Sequence, residues 1–276
     1  MTMVGTPPPL PVRDRAAARD RGAGAGALSP MLGRLAEERA TGVLVREHGT
    51  LHLTEGRVVH AESPHAPGLD VLLTAHGTLA SAAWQQATAQ ADGPAEAARL
   101  LLEAGLLPSG ALELCHLDAL YDAGYFALAP SSVPGRFRYG PPPRSGALPS
   151  VPVVALERET LRRRLLLHRT WPDPATDTSP LIRADPGTTA PVTARRRAVL
   201  DRVDGVRTAA QIARDLGRQA FHTLVDVRRL AAAGLVRPVP TVPAPPPRPA
   251  PPTLPLTVTD PDIALLKRLR DALEAL

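Results

Sequence analysis

Thr41-Gly-Val-Leu-Val-Arg-Glu-His-Gly-Thr-Leu-His-Leu-Thr-Glu-Gly-Arg-Val-Val-His-Ala-Glu62 decides the fold of the first half of this chain. Three short runs, Val43–His48, Leu51–Thr54 and Arg57–Glu62, are separated by Gly49-Thr50 and Glu55-Gly56. Short β-forming runs joined by two-residue turns specify an antiparallel meander. Before it, Ser29 is a helix cap with Pro30 at the first helical position, and Leu32, Leu35 and Ala36 recur on one face. After it, helical patterns run at 69–76, 79–90, 94–105 and 112–127, and Arg136–Tyr139 supplies a returning strand. Six of the eight aromatics (Trp84, Tyr121, Tyr125, Phe126, Phe137, Tyr139) lie here, which places the main core within residues 28–140.

Glu38–Arg46 followed by Leu51–Ala61 resembles the PATAN domain, the module named after the N-terminus of PatA. Thr41, Gly42, Leu44, Glu55, Gly56, His60 and Ala61 fall on the family's pattern of a Thr-Gly-apolar-Leu strand, an acidic-Gly turn and a strand ending near His-Ala. Leu51 and Leu53 stand where the family usually has an aromatic. The resemblance covers residues 28–140. It implies a protein-interaction or signalling module of bacterial regulators, sometimes found near small GTPases and two-component systems, with no catalytic residue to carry over.

The 276 residues include 32 Pro and 21 Gly, so two small cores joined by linkers are expected rather than one large one. Residues 1–27 show no periodic apolar face and are expected to be disordered. Residues 141–192 read as a linker with one helix at 153–169, in which Leu156, Leu161, Leu165 and Leu166 are apolar and Arg162 to Arg164 project. Protease is expected to cut near 141–150, 172–192 and 238–256. The cores differ in charge: residues 28–140 hold 7 Arg against 12 acidic residues, whereas 193–237 hold 10 Arg against 4 Asp.

Residues 193–237 have the spacing of a winged helix-turn-helix. Thr193 caps a first helix, Thr208 and Gln211 form a capping box for a second that ends at Gly217, and a third runs from Arg218 to about Ala233 before Gly234 and a short strand. On a helical wheel the third helix places Arg218, Gln219, His222, Thr223, Asp226 and Arg229 on one arc, to which the first helix adds Arg195, Arg196 and Arg197. Those side chains suit phosphates and major-groove edges, although Asp226 opposes phosphate and no second strand completes the wing. The same residues also suit a solvated face of a protein-interaction unit.

Other chemistries find no motif. Cys115 is the only cysteine, which excludes an intramolecular disulfide and a thiolate cluster. His48 and His52 flank a turn and are placed to approach each other, but no His-x-x-x-His pair with a nearby Glu completes a site, so no metal or other cofactor is expected. No nucleophile elbow or phosphate loop occurs, and no catalytic residue is expected. No run is apolar enough to span a bilayer, and Arg13, Asp14 and Arg15 stand where a secretory signal would be apolar, so a cytoplasmic protein is expected.

The fold class expected is therefore α+β, a small antiparallel meander with helices plus a mostly helical winged-helix-like domain. Residues 238–257 follow as a Pro-rich tether and 258–276 as an amphipathic helix, with Leu266, Leu269, Leu273 and Leu276 as a protein-binding seam. Two functions compete. One is a transcriptional regulator that binds a protein partner through 28–140 and double-stranded DNA through 193–237, with a homodimer as the usual form of such readers. The other is an adaptor in a small-GTPase or sensor complex that binds only protein.

Overall fold

A computed structural model describes residues 28–75, 77–91, 93–141, 148–184, 191–240 and 261–274. The expected meander forms β1 (Gly42–Arg46), β2 (Gly49–Thr54) and β3 (Arg57–Glu62). The first turn consists of Glu47 and His48, two residues earlier than expected, because Gly49 is needed inside β2: a Cβ there would stand 2.3 Å from the Glu62 carbonyl oxygen. The second turn is Glu55-Gly56, both at positive φ (47° and 74°), the backbone that a two-residue hairpin requires. His52 pairs with His60 and Leu53 with Val58, so Val59 is an extra residue, and the bulge lets two consecutive valines both be buried.

The outer strands are β4 (Arg136–Tyr139) and β5 (Val151–Pro152), giving the antiparallel order β4-β1-β2-β3-β5. Ser29 caps α1 (Pro30–Glu37) as expected. Leu32 and Leu35 of α1 enter the core with Leu44, Leu51, Leu53 and Val58. The long helix α5 (Ser109–Ala127) packs across β2 and β3. Three shorter helices, α2 (Leu69–Thr74), α3 (Ser81–Gln90) and α4 (Pro94–Glu103), close a smaller core around Leu73, Ala98 and Leu101. The molecule is mixed α and β with an antiparallel sheet, as expected.

The linker region differs from its reading. Helix α6 (Val153–Thr170) forms, with Leu156 buried and Arg162 exposed as expected, but Arg163 and Arg164 turn inward while Leu161 and Leu165 face out. Arg163 is 6% exposed, whereas Val154, Leu161 and Leu165 are 63%, 41% and 49% exposed. The reason is the surface α6 meets: Arg163 reaches the Tyr121 carbonyl, Glu159 and Asp122, and Arg164 reaches the Leu128 carbonyl at 2.6 Å. The stretch expected to be a bare connector holds α7 (Ala175–Thr178) and β6 (Leu181–Arg183). Asp177 of α7 takes both ends of the Arg228 guanidinium, at 2.6 and 2.8 Å.

Three helices follow, α8 (Ala194–Leu200), α9 (Ala209–Asp215) and α10 (Ala220–Ala232), and then β7 (Val236–Pro238). The capping box of Thr208 and Gln211 is present. Strand β7 has the partner that sequence reading lacked, since Leu181, Ile182 and Arg183 of β6 pair with Pro238, Arg237 and Val236. Leu167 of α6 and Leu181 of β6 complete the core of these helices, with Tyr125 and Phe126 of α5 packed against it. The described residues through Val239 accordingly form one compact unit rather than two separate modules, and those from Pro240 belong to a second.

The second unit contributes one described helix, α11 (Pro261–Glu274). Leu273 on it is exposed. The side chains of Leu266 and Leu269, all of Leu276, the segment 1–27 and most of the Pro-rich tether lie outside the described residues. Among the described residues no helix is long and apolar enough to cross a membrane.

Candidate functional site

The turn that opens α10 sits against the first half of the chain, and a glycine makes this contact. Gly217 has φ +61°, a conformation that L side chains rarely adopt, and a Cβ there would stand 1.9 Å from the Ala75 Cβ just after α2. The backbone then passes Arg218 and Gln219 and enters α10 beside α5. The Ala220 and Phe221 amides donate to the two oxygens of Asp122, at 2.5 and 2.9 Å. Asp122 thus caps α10 from another helix, where a carboxylate meets two of the free N–H groups and the positive end of the helix dipole. Arg163 lies 3.5 Å from the same carboxylate and over the Phe221 ring, 4.6 Å from its centroid. Burial pushes the Asp122 carboxyl up to about 6, against the pull of the two amides and Arg163.

One turn earlier on α5, Asp118 stands near the Gln219 side chain, and both line the same cavity. Across from it, Arg195 of α8 donates from Nε to Asp226 at 2.7 Å and from its terminal nitrogen to the His222 carbonyl at 3.4 Å. Arg218 donates to the Arg195 carbonyl at 3.4 Å and has no carboxylate partner among the described residues. These groups surround a cavity of about 390 Å³ lined by Leu72, Cys115, Asp118, Arg195, Gly217, Arg218, Gln219 and His222. Burial raises the Asp118 carboxyl, with Gln219, His222 and Arg163 pulling the other way. The Cys115 thiol is raised by burial and then by Asp118, which keeps it a thiol at neutral pH. Burial lowers His222, and the charges of Arg195 and Arg163 add to that.

No family model, curated protein or solved structure matches this chain. The site is therefore read from its own geometry.

Of the expected nucleic-acid-contacting residues, the fold brings together Arg195, Arg218, Gln219 and His222 in the cavity. Arg196 is half-buried and donates to Thr193 Oγ1 at 3.3 Å, while Arg197 and Arg229 are exposed outside the cavity. Thr223 does not belong to a reading face: it is 1% exposed and donates to the Gln219 carbonyl. Asp226 is buried too and neutralised by Arg195, so it does not confront solvent as the wheel placed it. Ten of the thirteen residues of α10 are buried, so the helix has no continuous exposed arc. The wheel sorted residues by one apolar face, but α10 packs against α6, α7, α8 and α9 together, with Asp122 of α5 at its start.

The histidines also rearrange. His48 faces His65, ring centroids 5.8 Å apart, and His52 faces His60 at 5.4 Å, so the expected approach of His48 to His52 does not occur. Among the described residues no group of three or more His, Cys, Asp or Glu is placed to hold a metal. Sequence reading missed Asp118, Asp122 and Arg163. The available signal was two acids four residues apart, hence on one face, among the largely apolar residues 117–127, an arrangement that burial tolerates only with partners.

Proposed function

We propose that this chain is a non-enzymatic regulatory adaptor that works by binding protein, with its sheet-bearing half and its three-helix half acting as one body. The observation that carries this is the enclosure of α10, whose opening turn is capped by Asp122 and whose sides are covered. A reading helix must offer the first residues after its start to base edges in the major groove. The PATAN resemblance of residues 28–140 supports a protein partner, a small GTPase or a sensor component. We read residues 181–238 as winged-helix-like, with β6 and β7 as the ribbon, used here as a structural part of the body.

The rival reading is a DNA-binding regulator that uses the exposed Arg197 and Arg229. Fluorescence anisotropy of genomic fragments against salt separates the two. Phosphate contacts release counterions, so a DNA reader loses affinity steeply as salt rises. The adaptor reading expects weak binding that Arg197→Ala and Arg229→Ala leave unchanged, and a native complex above monomer mass that resists nuclease. Tight, salt-steep binding lost in those variants overturns it.

A further inference from the structure

The cavity between α5 and the start of α10 has the composition of a small-molecule site. Its volume of about 390 Å³ falls within the range of about 300–1,000 Å³ usual for such sites. One edge is apolar, from Leu72 and Cys115. The side chains contributed by α8 and by the start of α10 are polar, Arg195, Arg218 and the His222 imidazole among them.

The charges there are unequally committed. Asp226 does not line the cavity and is occupied by Arg195 beneath it. Asp118, the one acid in the lining, already has Gln219 beside it. Among the described residues the Arg218 guanidinium is bound only to a main-chain carbonyl, which leaves most of its donors unused. Arg195 spends its Nε and one terminal nitrogen and keeps the other. A group that accepts several hydrogen bonds and carries negative charge is what these donors lack, and a planar carboxylate matches a guanidinium fork.

We propose that the cavity binds a small organic acid, its carboxylate held by Arg218 with Arg195 and His222, and its short aliphatic body lying on Leu72 and Cys115. Asp118 faces the ligand from the α5 side and limits its affinity, because a nearby like charge opposes the bound anion. This site stands apart from the adaptor reading and does not depend on it.

Cys115 supplies the assay. As the single cysteine of the chain, in the cavity wall, it reports occupancy through its rate of alkylation by iodoacetamide in the intact protein. Acetate, butyrate, hexanoate and inorganic phosphate are titrated at constant ionic strength. Protection is expected to strengthen from acetate to hexanoate and to be weakest for phosphate, which has no body for the apolar edge.

Arg218→Gln is expected to weaken hexanoate protection about ten-fold or more, since a hydrogen bond to a charged group contributes about 1.5–3 kcal/mol. Asp118→Asn is expected to tighten it, which a merely structural role of Asp118 does not predict. Circular dichroism checks that both variants fold. Equal protection by all four anions, protection that survives Arg218→Gln, or its loss in Asp118→Asn would each overturn the proposal. Protection by phosphate alone would overturn it too, and would assign the cavity to an inorganic anion.

Discussion

At Asp122 three donors converge on one carboxylate that solvent does not reach. Truncation leaves the Arg163 charge buried beside two unpaired amides, so Asp122→Ala is expected to cost about 3–5 kcal/mol in urea unfolding. Its pH behaviour has a definite sign. A carboxyl at about 6 in the folded chain and 3.8 unfolded adds stability that is full below about pH 4 and is lost as pH rises through 6, about 3 kcal/mol in all. His52 and His116, both lowered chiefly by burial, act oppositely: their contribution is present above pH 6.5 and falls away on acidification. The difference between wild type and Asp122→Asn therefore isolates the carboxyl. That difference should slope between pH 4 and 6, and a flat one would place Asp122 in an ordinary carboxylate environment. Asp118 and Asp122 were visible in the sequence as acids within an apolar helical pattern. Their partners, Gln219, Ala220 and Phe221, lie about a hundred residues away and follow no local period.

Among the elements, the meander was legible because side chains on a strand alternate, and Leu51, Leu53 and Val58 allow one register only. The capping box at Thr208 was legible for a similar reason, since its two residues answer each other three positions apart. Helix α6 was legible as a helix but not in its facing. Its apolar residues are spread around the axis, and the face that docks carries Leu156 and Leu167 together with Arg163 and Arg164, whose acceptors on Tyr121, Asp122 and Leu128 belong to another segment. The burial of Arg163 beside exposed Leu161 and Leu165 predicts a contrast. Arg163→Ala should cost about 3–5 kcal/mol, as removal of one member of a buried pair does, whereas Leu161→Gln and Leu165→Gln should each stay within about 0.5 kcal/mol. Chemical denaturation of the three variants decides it, and the opposite ranking would place Leu161 and Leu165 in the core. The strand β6 escaped sequence reading because three residues beside Pro180 carry too little pattern, and only β7 gives them a partner.

On the scale of the whole molecule, the sign change in charge between residues 28–140 and 193–237 suggested two bodies, but charge composition reports on surfaces and not on what is shared beneath them. Leu167 and Leu181, with Tyr125 and Phe126 beside them, belong to the core of the three-helix half, and Arg228 is tied to Asp177 with neither side chain more than 14% exposed. One cooperative thermal transition is expected for the chain through Val239, and an isolated fragment 193–239 should be unfolded by circular dichroism. Protease should spare 171–184 until that transition, contrary to the connector reading. Two calorimetric transitions, or early cleavage there, would restore the two-module view. The cap on α10 also has a consequence in time. A ribosome delivers the N-terminal half first, so Asp122 and Arg163 can be seated before residues 220 and 221, the partners lying 98 and 99 positions after Asp122, have been made. The last helices then condense on a finished template, which shortens the interval in which their apolar sides stand open to other nascent chains. A circular permutant that began at residue 193 would reverse that order and leave those helices waiting for their template during synthesis.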